Sequence, residues 1–272
     1  MEVRDDREAQ RDRKEVYESE DIIAQFKTRV FIQKPEQTIL SLLRPFLSEA
    51  RVLDIGVGAG RTTRFFTGVP EYVGIDLSAG MIEACQEKYR DATNMRFLVC
   101  DVRDMSIFPK ESFDIVLFSF NGIDCLSHED RLNALREIQR VLKTNAFFMF
   151  SAHNLQFAPR LFRKVQVRPI WWTSPWGHLF MNMKRRKLNP EWHSLAEKNY
   201  AIIDDGTYDW RLGGLYYVDP QYQVTQLHNT GFSNVRIFSL TSGLEITLEA
   251  ELKQNRDWWL YYLCQQGPQS LC

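Results

Sequence analysis

The chain has 272 residues, 34 Lys and Arg against 35 Asp and Glu, and a hydrophobic fraction of 44%. That length accommodates one α/β domain with an elaboration, or two small domains, and the composition is that of an ordinary globular chain rather than a disordered one. A formal net charge of −1 excludes an argument from global electrostatics for any partner, nucleic acid included.

Taken in chain order, the opening stretch MEVRDDREAQRDRKE carries both signs of charge and no apolar core, so it does not read as a signal peptide. Residues 17–31, YESEDIIAQFKTRVF, read as an amphipathic helix that docks through Ile22, Ile23 and Phe26. Strands are expected at ARVLDIG (50–56), EYVGID (71–76), MRFLVCD (95–101), FDIVLFSF (113–120) and AFFMFSA (146–152). These runs are apolar nearly throughout rather than alternating, the pattern of parallel strands buried on both faces. Helices are expected between most of them. SAGMIEACQEKYRDA opens on Ser78 as an N-cap, and SHEDRLNALREIQRVLK opens on Ser127 with Asp130 three residues on. Strand–helix alternation of this kind predicts a doubly wound sheet.

The rhythm breaks after residue 152. Within YAIIDDGTYDWRLGGLYYVDP (200–220) two short strands read as a hairpin, with Tyr216 and Tyr217 on opposite faces and one of them directed at a pocket. DPQYQVTQLHNTGF then reads as a helix closed by Gly231, SNVRIFSL as a strand, and WWLYYLCQQ as the last strand. No apolar run approaches membrane-spanning length. The five cysteines (Cys85, Cys100, Cys125, Cys264 and Cys272) are odd in number and lack metal-ligand spacing, which points to a reduced, cytoplasmic compartment and to no bound metal.

Function is concentrated in VLDIGVGAGRT, residues 52–62. A strand ending in a glycine turn presents backbone N–H groups to a ligand without a Cβ in the way. The dinucleotide fingerprint G-x-G-x-x-G requires its third glycine at position 61, where Arg61 stands. The chain has G-x-G-x-G instead, with Asp54 two residues ahead. A carboxylate there is awkward for a pyrophosphate and suited to a cationic amino-acid moiety.

LDIGVGAG resembles the first motif of the class I, Rossmann-like S-adenosylmethionine-dependent methyltransferases, and further motifs follow in register over about residues 45–155. VGIDLSAGMI is similar to the acidic second-strand motif, FLVCDVRDM to the segment flanking the adenine, and FDIVLFSFNGIDCL to the fourth strand and active-site mouth. REIQRVLKTNAFFMFSAHN resembles the helix and strand that follow, with Thr144–Asn145 where most relatives have Pro-Gly. The resemblance implies S-adenosylmethionine as cofactor, held by Asp54, Gly56, Gly58, Gly60, Asp76, Leu77, Met81, Asp101, Val102 and Ser119. Asp76 would accept from the ribose hydroxyls, Asp101 would face the adenine amine and Val102 its ring. Residues 17–31 look like the lid helix of small-molecule members, in which Arg29 would meet the cofactor carboxylate and Tyr17 would close over the methyl group. Taken singly, the glycines also satisfy strand–helix packing, and Asp76 and Asp101 also satisfy strand-end capping. The implied fold is α/β, a doubly wound, mostly parallel seven-stranded sheet. An N-terminal helical lid spans 1–45, the core 46–153 and 219–272, and a cap inserted after the fifth strand 154–218.

Ligands of an open α/β sheet sit beyond the carboxyl ends of its strands, which selects Ser119–Asp124 and His153–Asn154. His153 is the candidate base, because its ordinary pKa lies near working pH. Asn121 and Asp124 are candidates for orienting the substrate, and Tyr217 for reaching it from the hairpin. SFNGID does not match the Asn-Pro-Pro-aromatic signature of enzymes that methylate exocyclic base amines or protein amides. The cap carries Arg160, Arg163, Lys164, Arg168, Lys184, Arg185, Arg186 and Lys187 without an acidic residue between Asn154 and Pro190, interleaved with Trp171, Trp172 and Trp176. Such a patch suits a carboxylate or phosphate on a small molecule, RNA through phosphates and stacking, an anionic membrane surface, or a solvated lid. The expected activity is methyl transfer to O or N of a small molecule, neutral or anionic. RNA or protein methylation through the basic insert, a non-catalytic cofactor-binding regulator and, more distantly, a nicotinamide oxidoreductase remain alternatives.

Overall fold

The computed structural model describes residues 13–162 and 175–267. Five parallel strands form its centre: β1 (Arg51–Ile55), β2 (Glu71–Asp76), β3 (Met95–Val99), β4 (Phe113–Phe118) and β5 (Leu142–Asn154), in spatial order β3-β2-β1-β4-β5. Two strands from the end of the chain, β8 (Phe232–Ser239) and β9 (Trp259–Gln266), extend the sheet. β9 runs antiparallel to β5 from Phe147↔Gln265 to His153↔Trp259, and β8 pairs antiparallel with β9. These are the seven strands of the mostly parallel sheet that the resemblance implies, and a hairpin brings the sheet to nine strands among the described residues.

The expected hairpin is present as β6 (Tyr200–Ile203) and β7 (Leu215–Val218). It joins the sheet at one place. β5 pairs with β4 as far as Phe118↔Phe150, and β7 then pairs with β5 at His153↔Tyr217 and Asn154↔Val218. His153 therefore lies between two strands, with Tyr217 beside it on β7 and Trp259 on β9.

The helices are α1 (Glu20–Thr28), α2 (Lys34–Leu43), α3 (Ala79–Lys88), α4 (His128–Val141), the one-turn α5 (Ala158–Leu161), α6 (Pro175–Leu188), α7 (Pro220–Asn229) and α8 (Glu249–Gln254). Their ends follow the capping chemistry in the sequence. Ser78 Oγ accepts from Met81 N at 3.2 Å, Ser127 Oγ accepts from Asp130 N at 3.2 Å, and Asp219 caps α7. Asn145 adopts φ 64°, so an asparagine supports the left-handed turn where a glycine is usual.

Alternation along the strands divides the core into two layers. Leu53, Ile55, Val116, Phe148 and Phe150 face one way, toward Leu135 and Ile138 of α4. Val52, Ile115, Leu117 and Met149 face the other, toward Ile39, Leu40 and Leu43 of α2. Each such side chain stabilises the fold by roughly 1.5–3 kcal/mol on burial, which is why strands covered on both faces read as unbroken apolar runs. A third, smaller cluster joins the N-terminal segment to the cap through Val16, Ile22, Leu155, Phe162, Leu195 and Leu215. Polar ties reinforce it: Arg13 donates to the carbonyls of Cys125, Leu212 and Gly214, and Arg211 pairs with Asp21 at 2.7 Å.

Three basic residues of α6 make contacts within the cap, although Arg186 and Lys187 are exposed. Arg185 donates to Leu161 O at 2.8 Å and Asp205 O at 3.0 Å, Arg186 donates to Phe162 O at 2.7 Å, and Lys184 sits 4.6 Å from the Trp210 ring. The residues Arg163, Lys164, Arg168, Trp171 and Trp172, and the side chain of Trp176, lie outside the described residues. Among the described residues no helix is long and apolar enough to cross a membrane.

Candidate active site

A cavity of about 390 Å³ opens at the carboxyl ends of β1, β2, β4 and β5, where the strand order reverses about β1 and an open sheet leaves a crevice. Its floor comes from the loops that follow those strands, its far wall from His153, Trp258 and Trp259, and its roof from Tyr17, Phe26, Arg29, Tyr208, Leu212 and Leu215. The size is within the range of small-molecule sites.

The glycine loop shapes one half. Gly58 has φ +54°, and a Cβ there would lie 2.8 Å from the Phe26 ring, so the missing side chain is what lets α1 close on the loop. Gly60 has φ +72° and does not line the cavity; its carbonyl accepts from Tyr89 OH and Lys88 Nζ, both at 3.1 Å, and it packs against α3. Gly56, Asp76, Leu77, Met81, Val102 and Ser119 all line the cavity. Asp76 accepts from Gly58 N through Oδ2 and from Ser78 N through Oδ1, each at 2.9 Å, while burial raises its pKa. These bonds hold the loop against β2 and use one lone pair on each oxygen, leaving acceptor capacity for hydroxyl donors. Asp101 is not on the wall: Arg103 holds its carboxylate through Nε at 3.0 Å.

Asp54 is buried behind the loop. Its Oδ2 accepts from Thr62 Oγ1 and Tyr72 OH, both at 2.7 Å, and burial pushes its pKa up to about 6. It borders a smaller cavity of about 30 Å³ that Arg29, Gly56, Ser119 and Phe120 share with the main one. Arg29 stacks on Phe26 at 4.3 Å and donates from Nη2 to Tyr208 OH at 3.2 Å, while its Nη1 is buried with no partner. A buried guanidinium nitrogen without an acceptor is costly alone and is satisfied by a carboxylate. Asp54 and Arg29 thus put an anion and a cation donor around one small space, which fits the zwitterionic amino-acid end of S-adenosylmethionine.

Sequence reading passed over Glu36. This fully buried carboxylate on α2 accepts from Arg61 Nη1 at 2.7 Å and Nη2 at 2.5 Å, from Gln33 N at 2.8 Å, and from the Ser119 hydroxyl. It ties the lid-side helix to the glycine loop and to the end of β4. The capping box of Gln33 and Glu36 was visible in QKPE, but the burial was not.

The other half is built around His153. Its Nδ1 lies 2.8 Å from Asp124 Oδ2, an oxygen that also accepts from His153 N at 2.6 Å, and Asp124 Oδ1 pairs with Arg131 Nη1 at 2.6 Å. Asp124 and Arg131 are both fully buried, and neither reaches the cavity. Asp124 therefore orients the imidazole rather than a substrate. A carboxylate on Nδ1 places the proton there and leaves the Nε2 lone pair toward the cavity. Tyr217 stands behind the ring, stacked at 4.6 Å, and its OH donates to Asp205 Oδ2 at 2.8 Å and accepts from Trp258 Nε1 at 2.9 Å. It holds His153 and Trp258 in place without lining the cavity. Tyr216, on the opposite face, bonds His128 and Gln226. Asn121 does line the cavity, held by φ 63° so that its Nδ2 lies 3.4 Å from His153 Nε2.

Fold and site together define a class, the Rossmann-like methyltransferases of class I. Residues 52–145 match the family model described as a methyltransferase domain. An uncharacterized methyltransferase of Bacillus subtilis, YcgJ, is 31% identical over 128 residues, which are 46% of this chain and 49% of that protein. The chain spans about half the length, or less, of the curated relatives it matches. Among solved structures, an S-adenosylmethionine-dependent methyltransferase from Mesorhizobium loti matches with TM-score 0.57 and 18% identity, over 85% of this chain and 97% of that one. The Burkholderia thailandensis 1,6-didemethyltoxoflavin-N1-methyltransferase matches with TM-score 0.61 and 13% identity, over 98% and 93%. At these identities the solved structures establish the shared fold.

Proposed function

We propose that the protein is an S-adenosylmethionine-dependent methyltransferase that methylates an O–H or N–H of a small molecule, inside a chamber covered by residues 13–29 and 207–215. The observation that carries this reading is the continuity of the cavity, which runs from the Asp76, Met81 and Val102 wall to His153 and Trp258. Cofactor-side and acceptor-side groups therefore share one water-excluding space.

In that space Asp76 would hold the ribose hydroxyls, Met81 and Val102 the adenine ring, and Arg29 with Asp54 the amino-acid end. Bound S-adenosylmethionine supplies an electrophilic methyl group on a sulfonium whose sulfur departs as a neutral thioether. The chain aligns the acceptor and manages its proton. His153 Nε2 takes the proton, Asp124 holds the ring and stabilises the imidazolium, and Arg131 keeps Asp124 in place. The rings of Tyr208, Trp258 and Phe120 line the space and narrow the access of water to it.

The bonds of Arg185 and Arg186 to backbone carbonyls favour a structural role for those two members of the basic cluster over polymer docking. The free cysteines of the described residues accord with a reducing, cytoplasmic setting. The test uses cofactor carrying a labelled methyl group with extract fractions, beside direct titration of S-adenosylhomocysteine. Label is expected in the small-molecule fraction, and His153→Ala is expected to abolish most of it at unchanged S-adenosylhomocysteine affinity. Asp76→Ala is expected to weaken that affinity itself by about tenfold, the loss of one good hydrogen-bond acceptor. Label confined to RNA or protein would overturn the small-molecule reading.

A further inference from the structure

The walls around His153 also restrict the acceptor. Asp124 on Nδ1 fixes the Nε2 lone pair toward the chamber, so the Asn121 amide that lies 3.4 Å from Nε2 must present its NH₂ there. Asn121 Oδ1 is consequently left as a buried acceptor with no partner, in a side chain only 8% exposed. An orphaned buried carbonyl is costly, and one that belongs to a cavity-lining side chain is satisfied when a donor enters the cavity. The 3.4 Å contact is itself long for a hydrogen bond, so a better donor displaces it readily. Nε2 and the unpartnered Oδ1 therefore belong to two neighbouring side chains that both line the chamber.

The surrounding surface is aromatic and basic. Phe120, Trp258, Trp259 and Tyr208 line the chamber with Arg13, Lys14 and Arg29, and Asp76 is the only acidic residue among the described lining residues. No carboxylate on that lining near His153 would compensate a cationic amine, whose desolvation would go unrelieved. Flat aromatic walls favour a ring that can stack or meet them edge-on.

We infer that the acceptor is a planar aromatic or heteroaromatic ring that carries no positive charge and bears two adjacent hydrogen-bond donors: one surrenders its proton to His153 Nε2 and is methylated, and its neighbour donates to Asn121 Oδ1. This inference rests on the methyltransferase reading and deepens it. Asn121 is then a specificity-determining residue, and its left-handed backbone, φ 63°, is the conformation that aims its side chain between base and substrate.

The experiment titrates the S-adenosylhomocysteine-saturated protein with catechol, phenol and veratrole and follows tryptophan fluorescence, since Trp258 and Trp259 line the chamber. Catechol presents two adjacent donors, phenol one and veratrole none on the same ring. Catechol is expected to bind about tenfold more tightly than phenol, and veratrole most weakly. Asn121→Gly, which keeps the left-handed backbone without strain, is expected to bring catechol to the affinity of phenol while leaving S-adenosylhomocysteine binding unchanged. Equal affinities across the three probes, or an undiminished catechol preference in Asn121→Gly, would overturn the inference. Failure to bind S-adenosylhomocysteine would instead refute the methyltransferase reading beneath it. Should the glycine variant not fold, the three-probe series on the wild-type protein still decides.

Discussion

Replacing Asp54 by asparagine should make the empty protein more stable and the cofactor site worse. Asp54 Oδ2 accepts from Thr62 and Tyr72, an arrangement an amide oxygen reproduces, so the substituted amide would stand in for the protonated carboxyl. Burial raises the pKa of Asp54 from 3.8 to about 6. The folded state therefore holds the proton more tightly than the unfolded chain. The stabilisation this gives is complete below the unfolded pKa and is lost as pH rises through the folded one. A displacement of about two pKa units corresponds to roughly 3 kcal/mol. Asp54→Asn should consequently exceed the wild type by about 3 kcal/mol above pH 7, by roughly half that near pH 5, and by little near pH 4. Urea unfolding across this range measures it. In the same variant the affinity for S-adenosylhomocysteine should fall, because the ammonium loses its counter-charge. A variant with the same pH dependence as wild type, or less stable at neutral pH, would show that Asp54 is not held as a strained, ionisable group. The strain makes functional sense only if a cation relieves it.

Two further substitutions probe the roof and the back wall. Gly58→Ala combines a left-handed φ of +54° with a Cβ 2.8 Å from Phe26, and should cost about 1–2 kcal/mol and displace α1; thermal unfolding and faster amide exchange in residues 20–28 would report it, and an unchanged protein would refute the close approach. Tyr217→Phe strands the buried Asp205 carboxylate and the Trp258 indole N–H, and should cost about 1–3 kcal/mol. It should also alter Trp258 fluorescence without changing S-adenosylhomocysteine affinity. A change confined to cofactor affinity would place Tyr217 on the cofactor instead.

The sequence by itself determined the strands, their succession along the chain and the place of the glycine loop. Those features are written locally: unbroken apolar runs for strands buried on both faces, Ser78 and Ser127 at helix starts, and glycines where backbone must turn left-handed against a ligand. The hairpin was legible for the same reason, and so was the placing of Tyr216 and Tyr217 on opposite faces, which follows from the two-residue period of a strand; the expectation that one of them reaches the pocket fails, since neither lines the cavity. What tertiary structure decided is pairing. Asp124 and His153 are 29 positions apart, and nothing in either neighbourhood announces that one holds the other. Glu36 meets Arg61 across 25 residues, and only the docking of α2 buries it. Asp101 carries the expected residue type at the expected place, yet the nearby Arg103 occupies it. Arg185 and Arg186 read as a surface patch until the fold turned them onto carbonyls of the cap. Periodicity specifies which face of an element is buried. It does not specify which distant group will meet that face, because that is set by how the covered sheet, the lid and the cap close on one another.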